Sequence, residues 1–565
     1  MLRENAGRAL VLALTGVLAL AASLRAAEGY RVRASVKPGW DWALPGGVRP
    51  VPYSGFVTWG GRRHSEMITV AGVKASWKEL SPASGRFNWQ PLIDRIKKCR
   101  AQGMRSGIHL KGVERPSVPD WIVKKYKVPV LDVIPLQQNQ PWRLQIVPPW
   151  HQGVMREYNE FMNAFGKTGI ARMEDVVYAY IHGVGPSRGE ELWMRPVDAE
   201  DWQKKSGLTP DLYAACIKAR LGAMLRAFKG VEYKLAWMAA GPIGPYTKQY
   251  RAYREKTTGM LERSLALGTG WRHGNIDFQH TSFSVPPLGI TLTKEGYCVV
   301  DDTRPHFAER RYFGDENEEY GKGWEWRFGP YEQHAYRHRI STLRTLQLRM
   351  NFQYVSTETL KLNPDLNKYA QLTQGRLAED SPDAWAYLRE CCIRRGGKSL
   401  PVKNLERWLV QRDVPGHMST PAERIDRKYR IWTDPPERQH DFDARRTDTA
   451  KGQRGLAFQL DKRFWPKPRP AMLKVTFTDR GKSRWYVEYT DGRGKPRRTA
   501  SIDNVGGGQR RTATFSLSSI AAARGYPGGM DFRIVTEGPG DVVVTVVRLI
   551  KATWKEPAPY RRRRG

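Results

Sequence analysis

The chain has 565 residues, more than one hydrophobic core normally holds, so its length excludes a single small domain and favours two domains. Lysine and arginine number 93 against 57 aspartates and glutamates, a net charge of +36 that is spread along the chain. The five cysteines are odd in number and irregularly spaced, which excludes a disulfide scaffold and a C-x-x-C metal site and predicts buried thiols.

The first residues have the organisation of an export signal. A basic n-region containing Arg3 and Arg8 precedes an uncharged apolar run over 9–24, and small residues then lead to Glu28. The run is short for a membrane span, and no later stretch of sequence approaches one. We therefore predict a signal peptide over 1–27 and a secreted or periplasmic protein. An uncleaved membrane anchor is the alternative.

The positive charge predicts attraction to polyanions. Nucleic acid is one such partner, but the export signal argues against it and the chain carries no nucleic-acid-binding motif. An anionic polysaccharide, sulfated or uronate-bearing, fits better. A general basic bias unrelated to any partner is the alternative interpretation.

Between residues 53 and 390, short β-rich runs alternate with amphipathic helical segments, as in a parallel sheet with crossover helices. Eight candidate strands follow from this alternation: Tyr53–Trp59, Val70–Trp77, Arg105–Leu110, Val176–His182, Tyr233–Ala239, Asn275–Phe283, Arg310–Gly314 and Phe352–Thr357. They predict an α/β fold, a (β/α)₈ TIM barrel over 28–412. Residues 296–301 compete for the seventh place. A doubly wound open sheet is the alternative fold, although no G-x-G-x-x-G turn follows the first strand.

The pattern changes after Asp413. A charged, proline-rich linker is predicted over 413–440, an antiparallel β-sandwich of jelly-roll type over 441–555, and a basic tail over 556–565. The candidate strands of the sandwich are Leu473–Asp479, Trp485–Thr490, Thr512–Leu517, Asp531–Thr536 and Val542–Ile550. Strand alternation places Trp485 and Tyr489 on one face and Tyr486 on the other, so one face is predicted to be core. The other face either binds carbohydrate or serves only in packing.

In a barrel of this kind, the carboxyl ends of the strands build the active site. The fourth candidate strand leads into Gly185-Pro186-Ser187-Arg188-Gly189-Glu190-Glu191-Leu192. This segment resembles the Gly-Pro-x-Gly-Glu-Leu motif that carries the catalytic acid of β-amylases, with one additional residue. The resemblance implies that Glu190 or Glu191 is a catalytic acid, and Glu190 is preferred because it directly follows the glycine. Trp193 would offer a face to a sugar ring.

Four acidic residues follow the seventh candidate strand within five positions, namely Asp315, Glu316, Glu318 and Glu319. Cleavage of a glycosidic bond needs one carboxyl group to protonate the leaving oxygen and a second to attack the sugar or activate water. Glu316 is the preferred second carboxylate and Glu318 the next, with Glu358 after the eighth strand in reserve. A solvated acidic loop, or a calcium site using Asp315, Asn317 and Glu319, is the alternative.

The second strand and its loop read Trp77-Lys78-Glu79-Leu80-Ser81-Pro82, followed by Gly85-Arg86-Phe87-Asn88-Trp89. Together with Val118-Pro119-Asp120-Trp121, this run resembles segments of the large retaining clan of barrel glycosidases, which includes bacterial β-galactosidases. The resemblance covers about residues 50–390 and implies a glycosidase barrel. The Asn-Glu pair that ends the fourth strand in that clan is absent here, so retention and inversion both stay open.

Several other polar and aromatic residues at strand ends are candidates for sugar subsites. They are Trp59, His109, His182, Trp237, Gln279 and His280, and the arginines that could pair with an anionic group are Arg62, Arg63, Arg188 and Arg195. The alternative for each is a place in the core or on a charged surface.

The sequence thus predicts a glycoside hydrolase with Glu190 as acid and Glu316 as nucleophile or base, with no metal and no cofactor. A carbohydrate-binding protein without activity and a polysaccharide lyase are the alternatives.

Overall fold

The computed structural model describes residues 34–59, 62–133, 144–181, 203–238, 251–272, 285–318, 320–325, 329–395, 398–428 and 440–557. They divide into two compact units. One unit contains the described residues of Pro50–Thr291 and Val300–Leu377. The other contains those before Pro50, the segment Leu292–Val299 and those from Ala378 onward.

The first unit is built around a closed barrel of eight parallel strands. In chain order they are β1 Gly55–Trp59, β2 Ile68–Ser76, β3 Arg105–Lys111, β4 Val176–Tyr180, β5 Leu235–Met238, β6 Gly270–Arg272, β7 Phe313–Glu316 and β8 Phe352–Tyr354. The barrel closes because β8 pairs with β1 through Tyr354 and Val57. This topology confirms the predicted (β/α)₈ TIM barrel and excludes the open sheet.

Two barrel strands lie elsewhere than predicted. The sixth is the short strand β6, whereas the predicted range Asn275–Phe283 lies outside the described residues. The seventh begins at Phe313, later than predicted, so Glu316 ends the strand rather than following it. The competing residues 296–301 contribute Cys298–Val300 to a hairpin with Ile290–Leu292, outside the barrel.

The helices of this unit follow the predicted alternation. They are Trp77–Leu80, Gln90–Ala101, Asp120–Tyr126, Gln152–Lys167, Pro210–Ala227, Arg251–Thr257, Met260–Ala266, Pro305–Ala308, His334–Gln347, Thr357–Leu362 and Pro364–Thr373. Side-chain caps begin several of them. The Ser76 hydroxyl accepts from the amide of Glu79, and the Thr209 hydroxyl accepts from the amide of Leu212 just before Pro210 at the first helical position.

The barrel interior is filled by aromatic and branched side chains rather than by solvent. Its buried cluster consists of Val57, Val70, Tyr178, Tyr180, Ala236, Tyr312, Phe352 and Tyr354. Gly107 of β3 makes room for the Tyr178 ring, because a Cβ atom there would lie 1.8 Å from it. Since side chains alternate along a strand, this cluster also identifies which residues of each strand face inward.

The second unit contains two antiparallel sheets. The eight-stranded sheet consists of Ala34–Pro38, Asp383–Arg395, Lys398–Arg407, Thr420–Asp426, His440–Arg446, Arg469–Thr478, Arg510–Ile520 and Val543–Lys551. The six-stranded sheet consists of Leu409–Arg412, Gly455–Leu460, Arg484–Thr490, Pro496–Arg498, Ile502–Asp503 and Phe532–Glu537. Side chains of both sheets share one buried core, as in a β-sandwich.

The five candidate strands of the sandwich are confirmed, but the unit is larger than the predicted range 441–555. Residues 378–412 belong to it rather than to the barrel, and Thr420–Asp426 within the predicted linker pairs with His440–Arg446. The strand Ala34–Pro38 pairs with Arg510–Ile520 at the sheet edge. The prediction missed these strands because Asp383–Arg395 carries buried residues on both faces and shows no simple alternation.

The aromatic residues of the sandwich and the cysteines lie where they were predicted to lie. Trp485 and Tyr489 are buried in the sandwich core, and Tyr486 lies on the opposite face, as predicted. All five cysteines are buried free thiols, also as predicted. No helix in the described parts of the chain is both long and apolar enough to cross a membrane. The predicted signal peptide lies outside the described residues.

Candidate active site

Inward-facing polar residues collect where the barrel strands end. Because side chains alternate along a strand, residues an even number of positions beyond those of the buried interior cluster also face inward, toward the mouth of the barrel. They are Trp59 of β1, Lys74 of β2, His109 of β3, Tyr180 of β4, Arg272 of β6, Glu316 of β7, Tyr354 of β8, and Glu318 just after β7. These residues are called the mouth cluster below. Of the predicted site residues, Trp59, His109, Glu316 and Glu318 belong to it.

The centre of the mouth cluster is an ion pair between Arg272 and Glu316. The Nη2 atom of Arg272 contacts Oε1 of Glu316. The Arg272 side chain is 1% exposed and the Glu316 side chain 11%. The register that sets Gly314 opposite Arg272 places Glu316 one inward position further along β7. A carboxylate next to a guanidinium is favoured in its charged form, which suits a nucleophile or a base better than a proton donor.

Three aromatic rings surround the Arg272 guanidinium. Its central carbon lies 4.9 Å from the ring centre of Tyr354, 5.3 Å from Tyr180 and 5.7 Å from Trp59. Cation–π attraction from such rings offsets part of the cost of burying the charge. The rings therefore hold the Arg272 guanidinium in the position from which it pairs with Glu316.

Below the ion pair, four tyrosine hydroxyls form one hydrogen-bonded group. The Tyr354 hydroxyl contacts those of Tyr178 and Tyr180, and the Tyr180 hydroxyl lies 3.3 Å from that of Tyr312. Burial raises the pKa of Tyr178 to about 12, although hydrogen bonds from Tyr354 and Tyr180 and the charge of Arg272 oppose the shift. Burial also raises the pKa of Tyr180 and Tyr354 well above 10. These phenols stay protonated near neutral pH.

Trp59 holds Glu318 rather than presenting a free ring. Its Nε1–H donates to Oε1 of Glu318 at 2.9 Å. Its ring stacks on Tyr354 with centroids 4.2 Å apart and 19° between the planes, and the Lys74 ammonium lies 4.5 Å from its ring centre. Because the stacked Tyr354 ring fills one face, Lys74 lies over the other. The predicted stacking of a sugar on this ring therefore has no open face in this arrangement.

Glu318 is also anchored through its backbone. Its carbonyl accepts hydrogen bonds from the hydroxyls of Ser356, at 3.0 Å, and Thr359, at 2.9 Å. By contrast, the reserve residue Glu358 points to the exposed side of the helix Thr357–Leu362 and pairs with Lys361 at 2.7 Å. The structure does not bring Glu358 into the mouth cluster.

Asp315 and Asn317 of the same run point away from the barrel interior, and Glu319 lies outside the described residues. Asp315 is fully buried on the outer face of β7. Asn317 accepts from the Ser341 hydroxyl at 2.6 Å and donates to Thr342 at 3.0 Å, so it connects β7 to the helix His334–Gln347. The alternative calcium site loses its Asn317 ligand for this reason. Among the described residues, no group of His, Cys, Asp and Glu side chains is arranged to hold a metal ion.

The remaining predicted residues divide into two groups. His109 faces the mouth, with its ring edge-on to Tyr180 at 5.7 Å. Trp237 lies on the outer face of β5, next to the inward Ala236, and its indole nitrogen has no hydrogen-bond partner among the described residues. The structure therefore separates Trp237 from the mouth cluster.

Several predicted site residues lie outside the described residues. They are His182, Arg188, Glu190, Glu191, Trp193 and His280.

Four residues of the mouth cluster were not predicted from the sequence, namely Arg272, Lys74, Tyr180 and Tyr354. Arg272 was hidden because β6 is only three residues long and has no periodic pattern. The available signal was Gly268, in a left-handed conformation at the end of the preceding helix, which marks the turn into β6. Tyr180 and Tyr354 could be found from the spacing of two that relates Tyr178 to Tyr180 and Phe352 to Tyr354.

No protein-family model matches the chain, and no curated protein matches it either. Among solved structures, the chain is similar to a β-galactosidase from the psychrophilic Marinomonas ef1, with a TM-score of 0.32 and 9% identity over 56% of this chain and 59% of that one. A β-galactosidase from Rahnella sp. R3 gives a TM-score of 0.28 and 10% identity, over 54% and 51% of the two chains. Xylanase 10B from Thermotoga petrophila RKU-1, in complex with xylobiose, gives a TM-score of 0.29 and 11% identity, over 54% of this chain and 81% of that one. The chain thus spans less than two thirds of the length of either β-galactosidase.

Proposed function

We propose that this protein is a glycoside hydrolase that cleaves a polysaccharide or oligosaccharide. The observation that carries the proposal is the Glu316 carboxylate at the carboxyl end of β7, directed into the barrel mouth and paired with Arg272. The carboxyl ends of barrel strands are where active sites of this fold are built. Glu316 then acts as nucleophile or base, and Glu190 acts as the acid, with Glu191 as its alternative.

The chemistry assigns a separate task to each carboxyl group. The acid protonates the glycosidic oxygen as it leaves, and Glu316 either attacks the anomeric carbon or activates a water molecule. The retaining route needs the two carboxyl groups about 5 to 5.5 Å apart and the inverting route about 6.5 to 9.5 Å. Arg272 holds Glu316 in place through the ion pair, and Trp59 holds Glu318 through its hydrogen bond.

The proposal includes three finer points. The excess of basic residues supports an anionic substrate, sulfated or uronate-bearing. The basic and apolar segment at 1–27 supports export of the protein. The half-buried Tyr486 on the outer face of its sandwich strand, with Arg498 4.5 Å from its ring centre, is the residue to examine for carbohydrate binding by that unit.

The test is an assay for new reducing ends with neutral, sulfated and uronic polysaccharides. Glu316→Gln and Glu190→Gln are each expected to lower cleavage at least about a hundredfold, the scale of general acid–base catalysis. Glu358→Gln is the matched control, because this exposed glutamate lies near the same barrel end outside the mouth cluster. A wild-type activity that survives Glu316→Gln but not Glu318→Gln would move the role to Glu318.

One observation favours a carbohydrate-binding protein without activity. Both described carboxylates of the mouth already have partners, Arg272 for Glu316 and Trp59 for Glu318. Under that alternative, wild type and Glu316→Gln would bind oligosaccharides and neither would release reducing ends. An unsaturated product absorbing in the ultraviolet would instead indicate a lyase.

A further inference from the structure

The guanidinium of Arg220 is buried without a hydrogen-bond partner among the described residues. Arg220 lies in the helix Pro210–Ala227 and is 0% exposed, and none of its three side-chain nitrogens bonds to a described residue. Of the buried arginines in the described ranges, it alone has all three nitrogens in this condition. Buried polar groups are nearly always paired, and a buried charge needs compensation. Arg220 therefore indicates a partner that the described part of the chain does not supply.

Two buried aromatic residues lie next to this guanidinium. Its central carbon is 4.2 Å from the ring centre of Tyr158, and the Trp77 indole is edge-on to the same ring with centroids 5.9 Å apart. Both residues are 1% exposed. The Tyr158 ring attracts the face of the guanidinium, whereas the N–H donors of a guanidinium point outward in its plane. The ring thus offsets part of the cost of burial and leaves the in-plane donors to be satisfied.

Gly112, directly after β3, leaves space beside the guanidinium. A Cβ atom on Gly112 would lie 4.0 Å from Nη2 of Arg220 and 3.4 Å from Cε3 of Trp77, which are ordinary contact distances. One further atom therefore fits where the glycine has no side chain, in contact with both residues. The buried Nε1–H of Trp77 also has no described hydrogen-bond partner. The unsatisfied groups of Arg220 and Trp77 are thus all donors.

A neighbouring thiol does not supply the missing negative charge. Cys216 lies one helical turn before Arg220, and burial raises the pKa of its thiol to about 12, although the charge of Arg220 lowers it. The thiol is therefore protonated at neutral pH. Its hydrogen bond goes to the sulfur of Met155, at 3.6 Å. Cys216 is not the counter-ion of Arg220.

We infer that Arg220 binds a small monovalent inorganic anion, such as chloride, in the space beside Gly112. A site built from donors takes an acceptor, and a negative charge offsets that of the buried guanidinium. The one-atom space favours a monoatomic anion over sulfate. Gly112 follows the strand that carries His109 of the mouth cluster, so the anion stabilises that end of β3. The inference goes beyond the proposed function and does not depend on it.

The test is urea unfolding of the full chain while chloride replaces gluconate at constant ionic strength. The wild-type unfolding equilibrium constant is expected to fall about tenfold when chloride reaches about ten times its dissociation constant, because the folded protein alone has the site. Arg220→Met is expected to abolish this chloride dependence. In gluconate alone, Arg220→Met should be at least as stable as wild type, because it removes a buried charge that has no partner.

Arg226→Met is the matched control, since it removes the same charge from an exposed position of the same helix. Its chloride dependence should equal that of wild type. The inference would be overturned by equal chloride dependence in wild type and Arg220→Met, or by an equal loss of that dependence in Arg226→Met, because both results indicate general surface charge. A larger Arg220-dependent effect of sulfate than of chloride would overturn the monoatomic ligand.

A second measurement covers the case in which Arg220→Met does not fold. In wild-type crystals grown in bromide, the anomalous signal should place a bromide ion within hydrogen-bonding reach of the Arg220 guanidinium. A map with bromide at other sites and none at Arg220 would overturn the inference.

Discussion

At the scale of single residues, Arg272 is the side chain on which the barrel mouth depends most. It is fully buried, contacts Glu316 and lies among the rings of Tyr354, Tyr180 and Trp59. A buried ion pair adds little to stability compared with apolar residues of the same size, but removal of one partner leaves the other charge without compensation. Glu316 would be that charge.

We therefore expect Arg272→Met to lower the free energy of unfolding by about 3 to 5 kcal/mol, the usual cost of breaking a buried pair. Arg272→Lys keeps the positive charge but not the planar guanidinium, and it is expected to lower the free energy of unfolding by less than Arg272→Met does. Denaturant unfolding checks both variants. A double variant Arg272→Met with Glu316→Gln should recover part of the loss, and no recovery would contradict the role of the pair.

Trp59 gives a prediction about activity. Trp59→Phe keeps an aromatic ring against Tyr354 but removes the N–H donor to Glu318, so turnover is expected to fall about tenfold. The control is Trp121→Phe, because Trp121 donates in the same way to the Ser81 carbonyl at 3.0 Å, on the loop after β2. Similar turnover for both variants would show that the Glu318 contact has no catalytic importance.

At the scale of elements, β4 and β8 bring the tyrosine hydroxyls together and make the barrel sensitive to alkali. The folded protein holds the Tyr178 proton to a pKa of about 12, whereas an unfolded chain releases it near 10. Folded molecules thus bind more protons across this window, so the stability contribution is complete below pH 10 and is lost as the pH rises toward 12.

The expected loss from Tyr178 is roughly 2 to 3 kcal/mol between pH 10 and 12, measurable by urea unfolding at pH 9 and pH 11.5. Tyr178→Phe should reduce this alkaline loss. Tyr331→Phe, which removes an exposed hydroxyl, should leave it unchanged. An identical pH dependence in wild type and Tyr178→Phe would contradict the assignment.

The elements also show what sequence reasoning can and cannot reach. The runs that become β2 and β3 are long enough for their apolar residues to identify them as strands. Glu316 could be predicted as a site residue because it lies at the end of a strand. The ion pair could not be predicted, because Arg272 and Glu316 come from different strands and meet only when the barrel closes. Lys74 was overlooked because a lysine in a strand usually marks a solvated face, whereas here it covers an indole.

At the scale of the whole molecule, a segment near the start of the chain belongs to the sandwich. Ala34–Pro38 pairs with Arg510–Ile520, and Asp41 pairs with Lys474 through Oδ2 and Nζ at 2.5 Å. The Lys474 side chain is 9% exposed and the Asp41 side chain 17%, so this contact is largely buried. Such a contact anchors the strand more firmly than an exposed ion pair would.

Asp41→Asn is therefore expected to lower the free energy of unfolding of the sandwich by about 1.5 to 3 kcal/mol, as for a lost hydrogen bond between charged groups. Asp426→Asn is the control, because Asp426 pairs with Arg424 at 2.8 Å on the surface of the same sheet, with exposures of 73% and 60%. Asp426→Asn should lower the free energy of unfolding by less than about 1 kcal/mol. Equal losses in denaturant unfolding would contradict the anchoring role of Asp41.

The pairing of Ala34–Pro38 with Arg510–Ile520 also sets an order of events during synthesis. The ribosome makes the barrel strands long before it makes the partner of this edge strand, so the early segment must wait with its backbone groups hydrated. The barrel can assemble as its own strands emerge, because their contacts are closer in sequence. The eight-stranded sheet can gain the strand Val543–Lys551 only after that strand has been translated, so the sheet is completed well after all eight barrel strands have been made.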